Sequence, residues 1–231
     1  MLIANQLDHY YGQSHSLRGV TLEVADASCT CLMGRNGVGK TTFAKCVIGL
    51  EQPKHGEMYY DGLDLLKLPV EARAAAGIGY VPQGRQIFPL LSVEENIRTG
   101  FFAKGHRSSK IPGQVYELFP VLLEMKNRRG GDLSGGQQQQ LAIARALVLN
   151  PKMLILDEPA EGIQPNIVQE IAQVINMLSS ELSIGVLLIE QKLPFIRKVA
   201  DHFTIMDRGS IVAGGRMNEL NESHVSEYLV A

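Results

Sequence analysis

Residues 34–41 read Gly-Arg-Asn-Gly-Val-Gly-Lys-Thr, which fits G-x-x-x-x-G-K-[ST] and lies between an apolar run and a helical pattern. The pattern needs that context, because it works as a loop leaving a strand and opening a helix. Glycines let the backbone N–H groups of Gly34, Arg35, Asn36, Gly37, Val38 and Gly39 turn inward around phosphate oxygens. Lys40 supplies a point charge to the terminal phosphates, and Thr41 offers a hydroxyl to Mg²⁺. With Thr42 beside them, these residues form an expected ATP-binding set. The plainer reading is a glycine-rich turn between a strand and a helix, and the rest of the chain decides between the two.

Short apolar segments alternate with helical patterns: 30–33, 78–81, 153–156, 186–189 and 203–206. That rhythm predicts a largely parallel, buried sheet with helices on its faces. Residues 2–7 and 19–24 read as paired edge strands, and 57–60 before Asp61-Gly62 as another, giving a small antiparallel sheet beside the core. From Gln83 to Leu133 the pattern turns helical, opening with Ser92 as N-cap and Glu95 at the capping-box position. This predicts an inserted helical subdomain, about 84–150, with the polar stretch 104–110, KGHRSSK, as a solvated loop. A length of 231 residues suits one such domain, and a net charge of -2 gives none of the basic footprint of a nucleic-acid binder. No apolar run approaches about 18 residues, so no membrane span or signal peptide is expected and the chain is read as cytoplasmic. Cys29, Cys31 and Cys46 lack metal-ligand spacing and read as reduced and buried, and the six histidines do not pair at helical spacing.

Residues 153–158, MLILDE, form an apolar strand ending in two carboxylates. After a P-loop, Asp157 suits Mg²⁺ and Glu158 suits the attacking water. Any buried strand can end in acids at the solvent, so the spacing alone says little. Ser134-Gly135-Gly136-Gln137 opens a long helical run with capping-box spacing, a helix N-terminus with free donors suited to an anion; the bland reading is a well-capped helix.

LSGGQ at 133–137, followed by a helix and then a strand ending in Asp-Glu, resembles ABC ATPases along essentially the whole chain. The resemblance implies an α/β P-loop NTPase of ABC type over 1–231, with a mostly parallel core sheet, an antiparallel β subdomain and a helical insert. It implies that Ser134, Gly135, Gly136 and Gln137 close over ATP held by another chain, so that two chains enclose two nucleotides. It further implies that Tyr11 stacks on adenine and that Gln83 senses Mg²⁺ and couples to membrane subunits. The implied cofactors are ATP and Mg²⁺. The implied partners are a companion ATPase, two permease subunits and a solute-binding protein, with the chain peripheral on the inner face of the membrane. Whether the isolated chain also pairs with itself stays open.

Two positions depart from the general ABC pattern. Gln164 stands where an aspartate is usual, and Gln191 stands where a switch histidine is expected. An amide can bond a phosphate oxygen but does not carry a proton as imidazole does. Gln191 therefore joins Glu158 as a candidate catalytic residue. At the Glu-Gln pair the chain is similar to one of the two ATPase subunits of importers of branched-chain amino acids and of urea, and YYGQSHSLRGV, GRNGVGKTT, YVPQGRQIFP and DEPAEGIQP look most like the urea-importer subunit. Ala160 departs from the threonine that the last stretch would be expected to carry. Urea import is the leading expectation, and import of branched-chain amino acids or short amides is the close alternative. A soluble ABC ATPase without a membrane partner, and a regulatory module that binds ATP without hydrolysis, are weaker readings: no second ATPase domain or long insert supports the first, and Glu158 opposes the second.

Overall fold

The computed structural model describes residues 1–104 and 110–229, so most of the KGHRSSK stretch, expected to be a solvated loop, lies outside the described residues. Six strands form the main sheet in the order β10-β9-β3-β8-β7-β6: β3 Cys29–Met33, β6 Ile78–Val81, β7 Met153–Asp157, β8 Gly185–Ile189, β9 His202–Asp207 and β10 Ser210–Arg216. All neighbours are parallel except β9 and β10. A second sheet, β2-β1-β4-β5, is antiparallel and comprises β1 Leu2–Tyr11, β2 Ser14–Val24, β4 His55–Tyr60 and β5 Leu63–Asp64.

The two-residue period of a strand sorts the core into two layers. Leu154, Leu156, Val186 and Leu188 face one side, packing with α6 (Gly135–Leu147), α7 (Pro165–Ser180) and α8 (Leu193–Val199). Met153, Ile155, Leu187 and Ile189 face the other, with α1 (Lys40–Ile48) and the antiparallel sheet. Both faces of the parallel sheet are covered, which is why its strands read as unbroken apolar runs. Arg73 on α2 (Val70–Ala75) is 2 % exposed and donates from Nη1 to the carbonyls of Cys46 and Val47, at 2.6 and 2.9 Å. It thereby closes the C-terminal end of α1, the helix whose N-terminus carries the P-loop.

The helical region holds α3 (Val93–Thr99), α4 (Gly113–Leu118), α5 (Pro120–Glu124) and α6, and a last helix, α9 (Glu222–Tyr228), follows β10. Ser92 and Glu95 form the expected capping box. Asn96, fully buried, bonds the backbone of Phe88 in both directions and donates to Leu91 and Ser92, which fixes the approach from β6 into this region. Two strand readings need correction. Residues 2–7 are not an edge, because β1 runs between β2 and β4, and β10 adds a strand that the sequence pattern did not show. A bulge around Gln6, at φ 50°, breaks the alternation of β1, so Leu7 and His9 are buried out of phase with Leu2 and Ala4.

Candidate functional site

Four adjacent parallel strands, β3, β8, β7 and β6, bring their C-terminal ends to one level. Leu32 is paired with Ile189, Ile189 with Asp157, and Leu156 with Val81. Each strand then delivers one piece of the candidate site: the P-loop after β3, Gln191 after β8, Asp157-Glu158 at the end of β7, and Gln83 after β6. A ligand of an open parallel sheet belongs at these ends.

The P-loop has the conformation its glycines predict. Gly39, at φ 115°, stands as N-cap of α1, and a Cβ there would lie 2.8 Å from the carbonyl oxygen of Ser16. Lys40, 4 % exposed, donates from Nζ to the carbonyls of Gly34 and Arg35, at 2.7 and 2.8 Å. Its ammonium is held below the usual lysine range by burial, which the negative charges of Glu158 and Asp157 oppose. A cleft of about 180 Å³ lies against Asn36, Lys40, Thr41, Thr42, Gln83 and Glu158. A larger cavity, about 540 Å³, opens by Asn150 to Lys152 at the opposite end of β7, away from the residues that carry chemistry.

Thr41 Oγ1 donates to Asp157 Oδ1 at 3.3 Å, and the Tyr80 hydroxyl donates to Oδ2 at 3.5 Å. Asp157 is 1 % exposed, and burial, with the neighbouring Glu158 charge, pushes its carboxyl up to about 6 against the pull of its two hydroxyl donors and Lys40. A buried carboxylate so placed gains from a cation. The hydroxyl of Thr41, the carboxylate of Asp157 and the amide carbonyl of Gln83 are hard oxygen donors, which suit Mg²⁺. The residues present therefore fit that ion.

Glu158 sits at φ 51°, a left-handed conformation that costs a non-glycine residue about 1 kcal/mol. Its own N–H donates to the Ile189 carbonyl at 2.9 Å, anchoring that turn. Its carboxylate is gripped from two sides: Gln83 Nε2 donates to Oε2 at 3.1 Å, and Gln191 Nε2 donates to Oε1 at 2.9 Å. Gln191 also donates to Asn36 Oδ1 at 2.6 Å, tying the end of β8 to the P-loop. Thus Lys40, Thr41, Asn36, Gln83, Asp157, Glu158 and Gln191 come together in one place.

Tyr11, at the end of β1 and 44 % exposed, borders an adjoining cleft with His15, Val38, Thr42 and Arg208. Its ring meets His9 edge-on at a centroid distance of 4.6 Å. Ser134 through Gln137 are not brought to the P-loop cleft. Ser134 and Gln137 form the expected capping box on α6, and Ser134 is exposed. Gln164 is the exposed N-cap of α7, makes no side-chain cap and does not line the phosphate cleft.

Sequence reasoning passed over five hydrogen bonds and one buried acid. Glu161 accepts from Gln83 Nε2 at 3.1 Å, and Tyr80 reaches Asp157. Arg145 on α6 donates to the carbonyls of Gln86 and Arg85, at 2.7 and 3.2 Å, and Arg85 donates to the Glu161 carbonyl at 3.3 Å. Glu190, beside Gln191, is 3 % exposed. An acid at a strand end reads as solvated unless the fold that buries it is known; the arginines carried no pattern that set them apart from surface charges.

A family model for ABC transporters matches residues 17–161. The chain is 38 % identical to the high-affinity branched-chain amino acid transport ATP-binding protein BraG of Pseudomonas aeruginosa, covering 92 % of this chain and 91 % of that one. It is 32 % identical to a probable branched-chain amino acid transport ATP-binding protein, LivF, of Archaeoglobus fulgidus, over 99 % and 98 % of the two chains. Among solved structures it is similar to MJ1267, an ATP-binding cassette of an ABC transporter in its ADP conformation, with TM-score 0.83, 27 % identity and 98 % and 95 % coverage. The ABC ATPase cassette fold, the P-loop with its facing carboxylates and the family match agree, and this chain belongs to the ABC transporter family as an ATP-binding subunit.

Proposed function

We propose that this chain hydrolyses ATP to drive import of branched-chain amino acids or related small amides, as one of two ATPase chains on a membrane permease. The observation that carries the reaction is the Glu158 carboxylate held between Gln83 and Gln191 at the mouth of the P-loop cleft. The solute class is supported by the 38 % identity to BraG.

In this reading, backbone N–H groups from Gly34 to Thr42 and the Lys40 ammonium bind the phosphates, while Tyr11 stacks on the base. Lys40 trades the carbonyls of Gly34 and Arg35 for phosphate oxygens. Thr41, Asp157 and Gln83 would hold Mg²⁺, which would supply positive charge against the phosphates. Glu158 accepts a proton from, or orients, the attacking water, and Gln191 keeps that carboxylate aimed while its amide offers a donor toward the terminal phosphate. Ser134 to Gln137 of a second ATPase chain supply the anion-binding helix end that this chain does not bring to its own cleft.

Among the described residues no helix is long and apolar enough to cross a membrane. We therefore assign passage of the solute to two permease subunits, delivery to a solute-binding protein, and this chain to the inner face of the membrane. The path from site to permease runs through Gln83, Arg85 and Arg145 into the helical region. Urea is the second reading, favoured by the YYGQSHSLRGV, YVPQGRQIFP and DEPAEGIQP stretches. ATPase activity of the complex reconstituted with permease, companion ATPase and binding protein separates the two: stimulation by leucine or valine supports the first, stimulation by urea alone replaces it, and silence toward all solutes with no permease binding removes the importer reading.

A further inference from the structure

Glu190 is a carboxylate taken almost wholly out of water at the end of β8, with no arginine, lysine or histidine side chain in a salt bridge to it among the described residues. Such a group is costly unless its oxygens are otherwise engaged. Three backbone donors engage them. Oε1 accepts from the N–H groups of Gln191 at 2.8 Å and Lys192 at 3.1 Å, and Oε2 accepts from that of Ala160 at 3.3 Å. Lys192 ties the same two segments a second time, since its Nζ donates to the Ala160 carbonyl at 2.5 Å.

These bonds join two loops that leave neighbouring strands. One loop presents Gln191, the other Glu158 and Glu161. Gln191 and Glu158 meet only through side chains, Nε2 to Oε1 at 2.9 Å, while Gln83 spans Glu158 and Glu161 from the far side. The relative position of the two loop backbones sets whether those amide contacts form. Glu190 fixes that position together with the Glu158 N–H bond to the Ile189 carbonyl, without lining the cleft itself.

We propose that Glu190 is a positioning residue: its buried carboxylate, bound to the N–H groups of Gln191, Lys192 and Ala160, holds the Gln191 amide in register with Glu158 and Asn36. The inference rests on the site reading given above, in which Glu158 and Gln191 act on the attacking water and the terminal phosphate. The carboxylate matters because it accepts at both oxygens. A glutamine there is isosteric but presents one acceptor and one NH₂ group, so one side must face an N–H with a donor.

The test uses the assembled complex and a double-mutant cycle. Glu190→Gln is expected to lower kcat about tenfold or more with KM for ATP unchanged within about twofold, since a small misalignment of a water-orienting group acts on the chemical step. In a Gln191→Ala background the same substitution is expected to lower kcat by no more than about twofold, because Glu190 acts through Gln191. Glu190→Asp keeps the charge and the short-range bonds to Gln191 and Lys192 but withdraws from Ala160, so its kcat falls between wild type and Glu190→Gln. It also carries the cycle if Glu190→Gln does not fold. Equal kcat in wild type and Glu190→Gln overturns the proposal, as does a Glu190 effect that multiplies undiminished with Gln191→Ala, which marks a general structural role. Full turnover in Glu158→Gln is a different result: it removes the site reading, and this inference with it.

Discussion

Asp157 is placed where burial works against its charge. Its carboxyl, pushed up to about 6 from 3.8, is a cost of folding the nucleotide-free chain at neutral pH. An acid whose folded value is raised favours the fold only while protonated, so its destabilising share grows as pH rises from 3.8 to about 6 and is constant above. Asp157→Asn is therefore expected to raise the Tm of the nucleotide-free protein at pH 8, by an equivalent on the order of 2 kcal/mol. The gain should shrink toward zero near pH 4, and thermal unfolding without Mg²⁺ across that range is the check; a gain independent of pH would show that burial of the charge is not its source. Lys40→Ala should weaken ATP binding at least about tenfold, the loss of a charged hydrogen-bonding partner in a closed cleft. Fluorescent-nucleotide titration reads it directly. The residues of both motifs were legible because backbone geometry and charge fix their spacing along the chain. Glu190 and Glu161 were not, since their partners arrive from other strands and only the fold supplies them.

At the scale of elements, helix α6 is held on two sides. Arg145 ties it to the segment after β6, and Gly136 lets its first turn lie against α7: a Cβ at Gly136 would come 2.7 Å from Ile167 Cγ2. Gly136→Ala is expected to lower stability by about 1–2 kcal/mol through overpacking. Ile167→Ala in the same chain should recover part of that loss, and denaturant midpoints of the single and double variants test the pairing. The parallel core was readable element by element, since burial on both faces leaves apolar runs that nothing else explains. The outer elements were less so. Strand β1 hides its central place behind a bulge, and β10, Ser210–Arg216, alternates half-buried and exposed positions and contains Gly214 and Gly215, which weaken a strand pattern.

At the scale of the molecule, the proposed function divides the chain between two different sites. Its P-loop face gathers Lys40, Asp157, Glu158, Gln83 and Gln191, while Ser134, exposed at the head of α6, has no nucleotide-binding residue of its own chain to serve. The account therefore expects Ser134→Arg to leave ATP binding at this chain's own P-loop within about twofold, while blocking the approach of a second chain and lowering turnover of the complex at least about tenfold. Nucleotide titration and phosphate release, run on the same variant, separate those effects. That division is what the resemblance at LSGGQ implies, and no local pattern of the chain gives it.

The most direct measurement of the central claim is steady-state phosphate release by the assembled importer carrying either Glu158 or Glu158→Gln in this subunit. The account predicts that Glu158→Gln binds ATP as tightly as wild type, accumulates the closed, ATP-loaded pair and loses turnover at this site by at least about a hundredfold. Unchanged turnover at this site would contradict it, and would place the catalytic carboxylate elsewhere.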